Sequence, residues 1–157
     1  MIFTGTSNFI NNSALFGGAI HPHADNTSLS FTGNSHFINN TADYQGGAIF
    51  SAESGPGKSL LRFTGTSYFS HNSAGISGGG MFLVNSTISI LSKTNIYWES
   101  NFARLGGAIY ALNMTYIQKK MNAFFNSLVR ICPMVMMLNF FSRITLLMQA
   151  VCYMVVQ

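Results

Sequence analysis

Cysteine is absent from the first 131 residues, and the only two, Cys132 and Cys152, lie close to the C-terminus. The first two thirds of the chain can therefore be neither a disulfide scaffold nor a thiolate metal site. Acids are almost as scarce: Asp25, Asp43, Glu53 and Glu99 stand against eight Lys and Arg. All four acids fall in residues 1–112, where Lys58, Arg62, Lys93 and Arg104 balance them. The net charge of +4 sits wholly on Lys119, Lys120, Arg130 and Arg143, so the high pI belongs to the tail and carries no nucleic-acid signal. Glycine is missing after Gly107, whereas seven of the nine methionines lie at or after Met114. Two kinds of sequence are thus joined near residue 113.

Before that junction one sentence recurs: Phe3–Ile20, Phe31–Ile49, Phe63–Met81 and, worn down, Lys93–Ile109. An aromatic is followed three residues on by asparagine, as Phe9/Asn12, Phe37/Asn40, Phe69/Asn72 and Trp98/Asn101. Five or six residues later comes a glycine pair, Gly17-Gly18, Gly46-Gly47, Gly78-Gly79 and Gly106-Gly107. A small residue and then an aliphatic one follow, the latter being Ile20, Ile49, Met81 and Ile109. The asparagines recur every 28 to 32 residues, and the differences in length fall in the polar stretches 21–28 and 51–58, which read as loops.

A helical repeat is disfavoured at this period, because the windows are rich in Gly, Asn, Ser, Thr and β-formers and lack the high Ala, Leu, Glu and Lys content that repeat helices use. Apolar residues instead alternate in short runs, such as Leu29-Ser30-Phe31 and Ile88-Ser89-Ile90, bounded by turn residues. Three runs per repeat predict one coil of a parallel β-solenoid: one ending at Phe3/Phe31/Phe63, one centred on the motif aromatic, one after Gly-Gly. Stacked coils lie about 4.8 Å apart, so equivalent side chains sit over one another. The inward aromatics then form a dry column, each contributing about 2 kcal/mol of burial. Asn12, Asn40, Asn72 and Asn101 form an amide ladder and supply the left-handed backbone of a sharp corner. The glycine pairs suit a corner where backbones crowd.

The joint recurrence of FxxN and GGA[ILV] resembles the repeat signature of the chlamydial polymorphic outer-membrane proteins. Phe9–Asn12 with Gly17–Ile20 and Phe37–Asn40 with Gly46–Ile49 match fully; Gly80-Met81 and Trp98 are departures. The resemblance covers about residues 1–112. It implies a right-handed parallel β-helix on a cell surface or outer membrane, adhesive in some members. Neither a signal peptide nor an outer-membrane barrel is recognisable here, and Met1-Ile2-Phe3 begins inside a repeat. The chain is expected to be a piece of a longer one, with further coils or caps on both sides.

Chemistry is weakly signalled. A β-helix lyase or hydrolase needs carboxylates converging on one strip, and only Asp25 and Glu53 occupy positions that could approach in adjacent coils. Both read better as loop solvation. His21-Pro22-His23 sets two imidazoles on one side of an extended segment without a third ligand in register, so no metal is expected. Gly55-Pro56-Gly57-Lys58 lacks the first glycine spacing and the helix of a phosphate loop. Sequons stand at Asn11, Asn26, Asn39, Asn85 and Asn113, with Asn11 and Asn39 expected to point outward. His36, Tyr44, Phe50, Phe82 and Tyr110 are candidates for one exposed aromatic strip that contacts carbohydrate or protein.

The expected architecture is all-β, a right-handed parallel β-helix of about four coils near residues 1–28, 29–58, 59–87 and 88–112. An unrelated apolar and basic tail, 113–157, follows: disordered, weakly helical or membrane-associated. Ile144–Gln157 falls short of the ~20 residues that span a bilayer, and a span over 131–156 would bury Arg143 at a cost of roughly 3 kcal/mol. The expected function is a fragment of an extracellular repeat protein, structural or adhesive, with no cofactor and no chemistry of its own. The alternatives are a fragment of a β-helix carbohydrate-active enzyme with its catalytic coils elsewhere, or a truncated, non-functional product.

Overall fold

The computed structural model describes residues 1–23, 26–52, 58–90 and 94–112, together with the backbone of 115–118. Among these residues the chain is a parallel β-solenoid without helices, and so without a helix able to cross a membrane. Its first turn carries β1 (Ile2–Phe3), β2 (Ser7–Ile10) and β3 (Ser13–Phe16). The second carries β4 (Ser28–Phe31), β5 (Ser35–Ile38), β6 (Thr41–Gln45) and β7 (Ile49–Ala52). The third carries β8 (Ser59–Phe63), β9 (Ser67–Ser70), β10 (Ser73–Ala74) and β11 (Met81–Val84). Then come β12 (Ser86–Ile90), β13 (Ile96–Glu99), β14 (Ile109–Leu112) and β15 (Thr115–Gln118).

Like strands stack on like. The first sheet runs β1-β4-β8-β12-β15, the second β2-β5-β9-β13, the third β3-β6-β10 and the fourth β7-β11-β14, every pairing parallel. Register follows the repeat letter for letter, with Phe9 over Phe37, Phe37 over Phe69 and Phe69 over Trp98. Period-two alternation puts one side of each strand inward, as the buried Ser35, Phe37, Ser67 and Phe69 of β5 and β9 show.

Two aromatic columns fill the interior. Phe3, Phe31 and Phe63 stack at 5.0 Å spacings. Phe9, Phe37, Phe69 and Trp98 stack at 4.7, 4.5 and 4.4 Å. Within a turn the columns meet edge to face, Phe3 on Phe9 at 5.2 Å and Phe31 on Phe37 at 5.4 Å. Each phenylalanine thus gains an offset stack above or below and a T-shaped contact beside it, arrangements worth about 0.5–1.5 kcal/mol per pair beyond burial. Leu29, Leu61 and Ile88, with Ile49, Met81 and Ile109, complete the core.

Three features depart from the sequence expectation. Each of the first three turns has a strand between asparagine and Gly-Gly, where a plain corner was expected, so a complete turn has four strands instead of three. Its inward residue is alanine, and Ala42, Ala74 and Ala103 form a small second core. So narrow a side chain leaves no apolar run to read. A bulge opposite Ala14 and Phe16 absorbs the residue by which the second turn exceeds the first between asparagine and glycine. The loop expected from Ser51 begins later, because Ser51 and Ala52 belong to β7 and Ser51 Oγ meets Ser86 Oγ at 3.1 Å inside the core. The motif ends at Leu112, yet the first sheet continues through β15, paired from Thr87↔Thr115 to Ile90↔Gln118. Backbone pairing needs an extended strand in register and no motif. The rest of the expected tail, from residue 119, lies outside the described residues.

Candidate functional site

The asparagine ladder is the most ordered polar feature. Asn12 donates through Nδ2 to Asn40 Oδ1 at 2.9 Å, Asn40 to Asn72 at 2.8 Å and Asn72 to Asn101 at 2.9 Å. The backbone N–H of each donor residue reaches the same oxygen, at 3.1, 3.0 and 3.0 Å. The second Nδ2 proton turns back to the aromatic of the previous turn: Asn40 to Phe9 O, Asn72 to Phe37 O and Asn101 to Phe69 O, at 2.9, 2.8 and 2.8 Å. Asn40 and Asn72, both fully buried, therefore use two donors and two acceptor lone pairs each. This explains the three-residue spacing of FxxN, since the amide of one turn must lie over the aromatic carbonyl of the turn before.

The left-handed corner is made elsewhere. Positive φ falls on the preceding residue, Asn11, Asn39, His71 and Ser100, at 57°, 54°, 55° and 51°. The ladder asparagines were expected to supply it. Their side chains point inward instead, and the corner is turned one residue earlier.

In the glycine pair the two members do different work. The first, Gly17, Gly46, Gly78 or Gly106, takes a φ of 57° to 68°. A Cβ on the second, Gly18, Gly47 or Gly79, would run into the carbonyl oxygen of its counterpart one turn on. Both departures from the motif meet at one spot: a Cβ on Gly80 would sit 2.6 Å from the carbonyl oxygen of Ala108 and 2.7 Å from Cζ3 of Trp98. The larger indole in one turn is matched by glycine in place of alanine in the turn below it.

Outside, the expected single aromatic strip is two. His36 stacks on Tyr68 at 4.9 Å and Tyr68 on Tyr97 at 4.8 Å along the second sheet. Phe50, Phe82 and Tyr110 stack at 5.2 and 5.0 Å along the fourth, where Phe82, expected to be exposed, is instead buried between its neighbours. Tyr44 joins the latter group through Phe16, at 5.3 and 5.1 Å. Residues equally outward in sequence lie on different sheets, which sets His36 apart from Tyr44, Phe50, Phe82 and Tyr110 and in register with Tyr68 and Tyr97.

His21 and His23 lie with ring centroids 5.4 Å apart, and His21 packs edge-on against Phe50 at 4.7 Å. Burial, and secondarily the charge of His23, lower the His21 imidazole below its ordinary value. Among the described residues no three His, Cys, Asp or Glu side chains gather to hold a metal. Asp25 and Glu53 lie outside the described residues; Asp43 is on the third sheet and Glu99 at the end of β13 on the second. Of the sequon asparagines, Asn11 and Asn39 are exposed and joined by a 2.7 Å bond from Asn39 Nδ2 to Asn11 Oδ1. Asn26 and Asn85 hold positive φ, and Asn113 lies outside the described residues.

Residues 34–52, which span Phe37–Asn40 and Gly46–Ile49, match the family model of the Chlamydia polymorphic membrane protein repeat. No curated protein and no solved structure gives a significant match to the chain.

Proposed function

We propose that this chain, which carries a repeat of the Chlamydia polymorphic membrane protein type wound into a parallel β-solenoid, serves at a cell surface as a structural and adhesive rod. One observation supports this above the rest. The recurring residues are used up in holding turn to turn, through the buried aromatics, the amide ladder and the glycine corners. The outward positions are held less strictly, as the column Asn8, His36, Tyr68 and Tyr97 shows, where only the last two residues agree. A scaffold kept constant beneath a varied outer face suits a protein selected for contact. Localisation at the surface or outer membrane rests on the family to which the repeat model belongs.

The test is binding of the purified chain to intact cells, compared with variants changed on one flank at a time: Tyr68→Ser with Tyr97→Ser, and Phe50→Ser with Tyr110→Ser. Loss of binding from one flank with the β-sheet circular dichroism unchanged is the expected result. Indifference to both flanks, or release of new sugar ends from a polysaccharide, would overturn the adhesive reading, the latter in favour of a β-helix enzyme.

A further inference from the structure

We infer that the groove on the outer face of the second sheet binds a methylated ammonium group, of the kind carried by choline. The groove is about 130 Å³ and runs along the solenoid axis between two columns of outward side chains. One wall is His36, Tyr68 and Tyr97; the other is Ile38, Ser70 and Glu99, rung for rung in register. The walls are therefore two residues apart on the same strands, and the groove follows from the pleat.

Three properties select the ligand. First, the rings of Tyr68 and Tyr97 are parallel within 11° but 4.8 Å apart between centroids. Ring planes in contact lie only about 3.5–4 Å apart, so each ring is slid along its neighbour and leaves part of its π face open. That face is electronegative and attracts a cation within about 6 Å. Second, Glu99 stands at the same end as Tyr97, and its carboxylate has no partner among the described residues. Among the described residues no Lys or Arg lines the groove, and the one other titratable group facing it besides the tyrosines, His36, is two rungs away. Third, Ile38 gives the opposite wall an apolar surface suited to methyl groups. An anion would meet Glu99, and a sugar would need a whole ring face, which the stacking covers.

The inference deepens the surface reading by naming the group this flank takes. It can fail alone, since cell binding through the Phe50–Tyr110 flank is measured separately. The experiment titrates the full chain with choline chloride, following the Tyr ring and Ile38 methyl resonances, with neutral dimethylbutanol, the carbon isostere, as control. Saturable shifts confined to this groove are expected with choline and not with the isostere. Glu99→Gln and Tyr68→Ser should each weaken binding about two- to fivefold, the scale of one exposed cation–π contact. Equal shifts from the isostere, or an unchanged titration in both Glu99→Gln and Tyr68→Ser with well-dispersed spectra, would overturn the proposal. Sedimentation with phosphatidylcholine but not phosphatidylglycerol vesicles would identify the source as a lipid headgroup; choline binding without sedimentation would identify a soluble ammonium compound.

Discussion

The first turn and the second turn contain the same motif, and the structure treats them differently. Phe37 and Asn40 are fully buried, whereas Phe9 is half-buried and Asn12 exposed. Asn40 gives and receives along the ladder; Asn12 only gives, and no donor reaches its Oδ1 among the described residues. The letters of the repeat therefore have no fixed energetic value. Their contribution depends on how many neighbours are in place, as in a one-dimensional array where each unit touches only the next.

The largest effect that would test this contrast is Phe37→Ala, expected to cost about 3–5 kcal/mol in urea unfolding, since it removes two stacked rings' partner and leaves a cavity. Phe9→Ala should cost well under that; equal losses would show that position in the stack is irrelevant. Next comes Asn72→Leu, isosteric in outline, which strands the Asn40 amide and the Phe37 carbonyl and should cost about 2–4 kcal/mol. Asn12→Leu, at the exposed end, should change the unfolding free energy by less than about 1 kcal/mol.

A subtler comparison sets the standard corner against its variant. Gly80→Ala alone should destabilise through contacts with both the Ala108 carbonyl oxygen and Trp98, while Gly80→Ala with Trp98→Phe should recover the Trp98 part of the loss. A double-mutant cycle should return a coupling of about 1–2 kcal/mol; additivity would mean the two departures from the motif are unrelated.

The smallest effect is on pH. His21 binds its proton less readily when folded, so the unfolded chain takes up more protons as pH falls below the ordinary histidine value of about 6.5. Stability is unaffected above that value and declines as pH drops toward the folded pKa. His21→Gln should flatten this shallow acid-side slope without altering stability at pH 8.

The stacking of equivalent residues was legible because the repeat is long and its letters few: Phe, Asn and Gly recur at fixed offsets, and parallel stacking follows. What escaped the sequence had small or displaced signals. The strands β3, β6 and β10 turn inward with alanine, which carries no apolar emphasis. The left-handed corner falls on Asn11 and Asn39 but also on His71 and Ser100, residues without a shared letter. The compensation between Gly80 and Trp98 joins positions 18 residues apart that only the winding brings together. The two outer flanks could not be separated until the strands had been assigned to sheets.

The amide seam has a direction: Asn40 and Asn72 each give to the asparagine of the turn after and take from that of the turn before. A whole turn can accordingly be duplicated or deleted and the hands still meet, whereas an inverted turn would set donor against donor. Such a protein can change its reach in steps of one repeat through unequal recombination of its gene, with no need to redesign what holds it together.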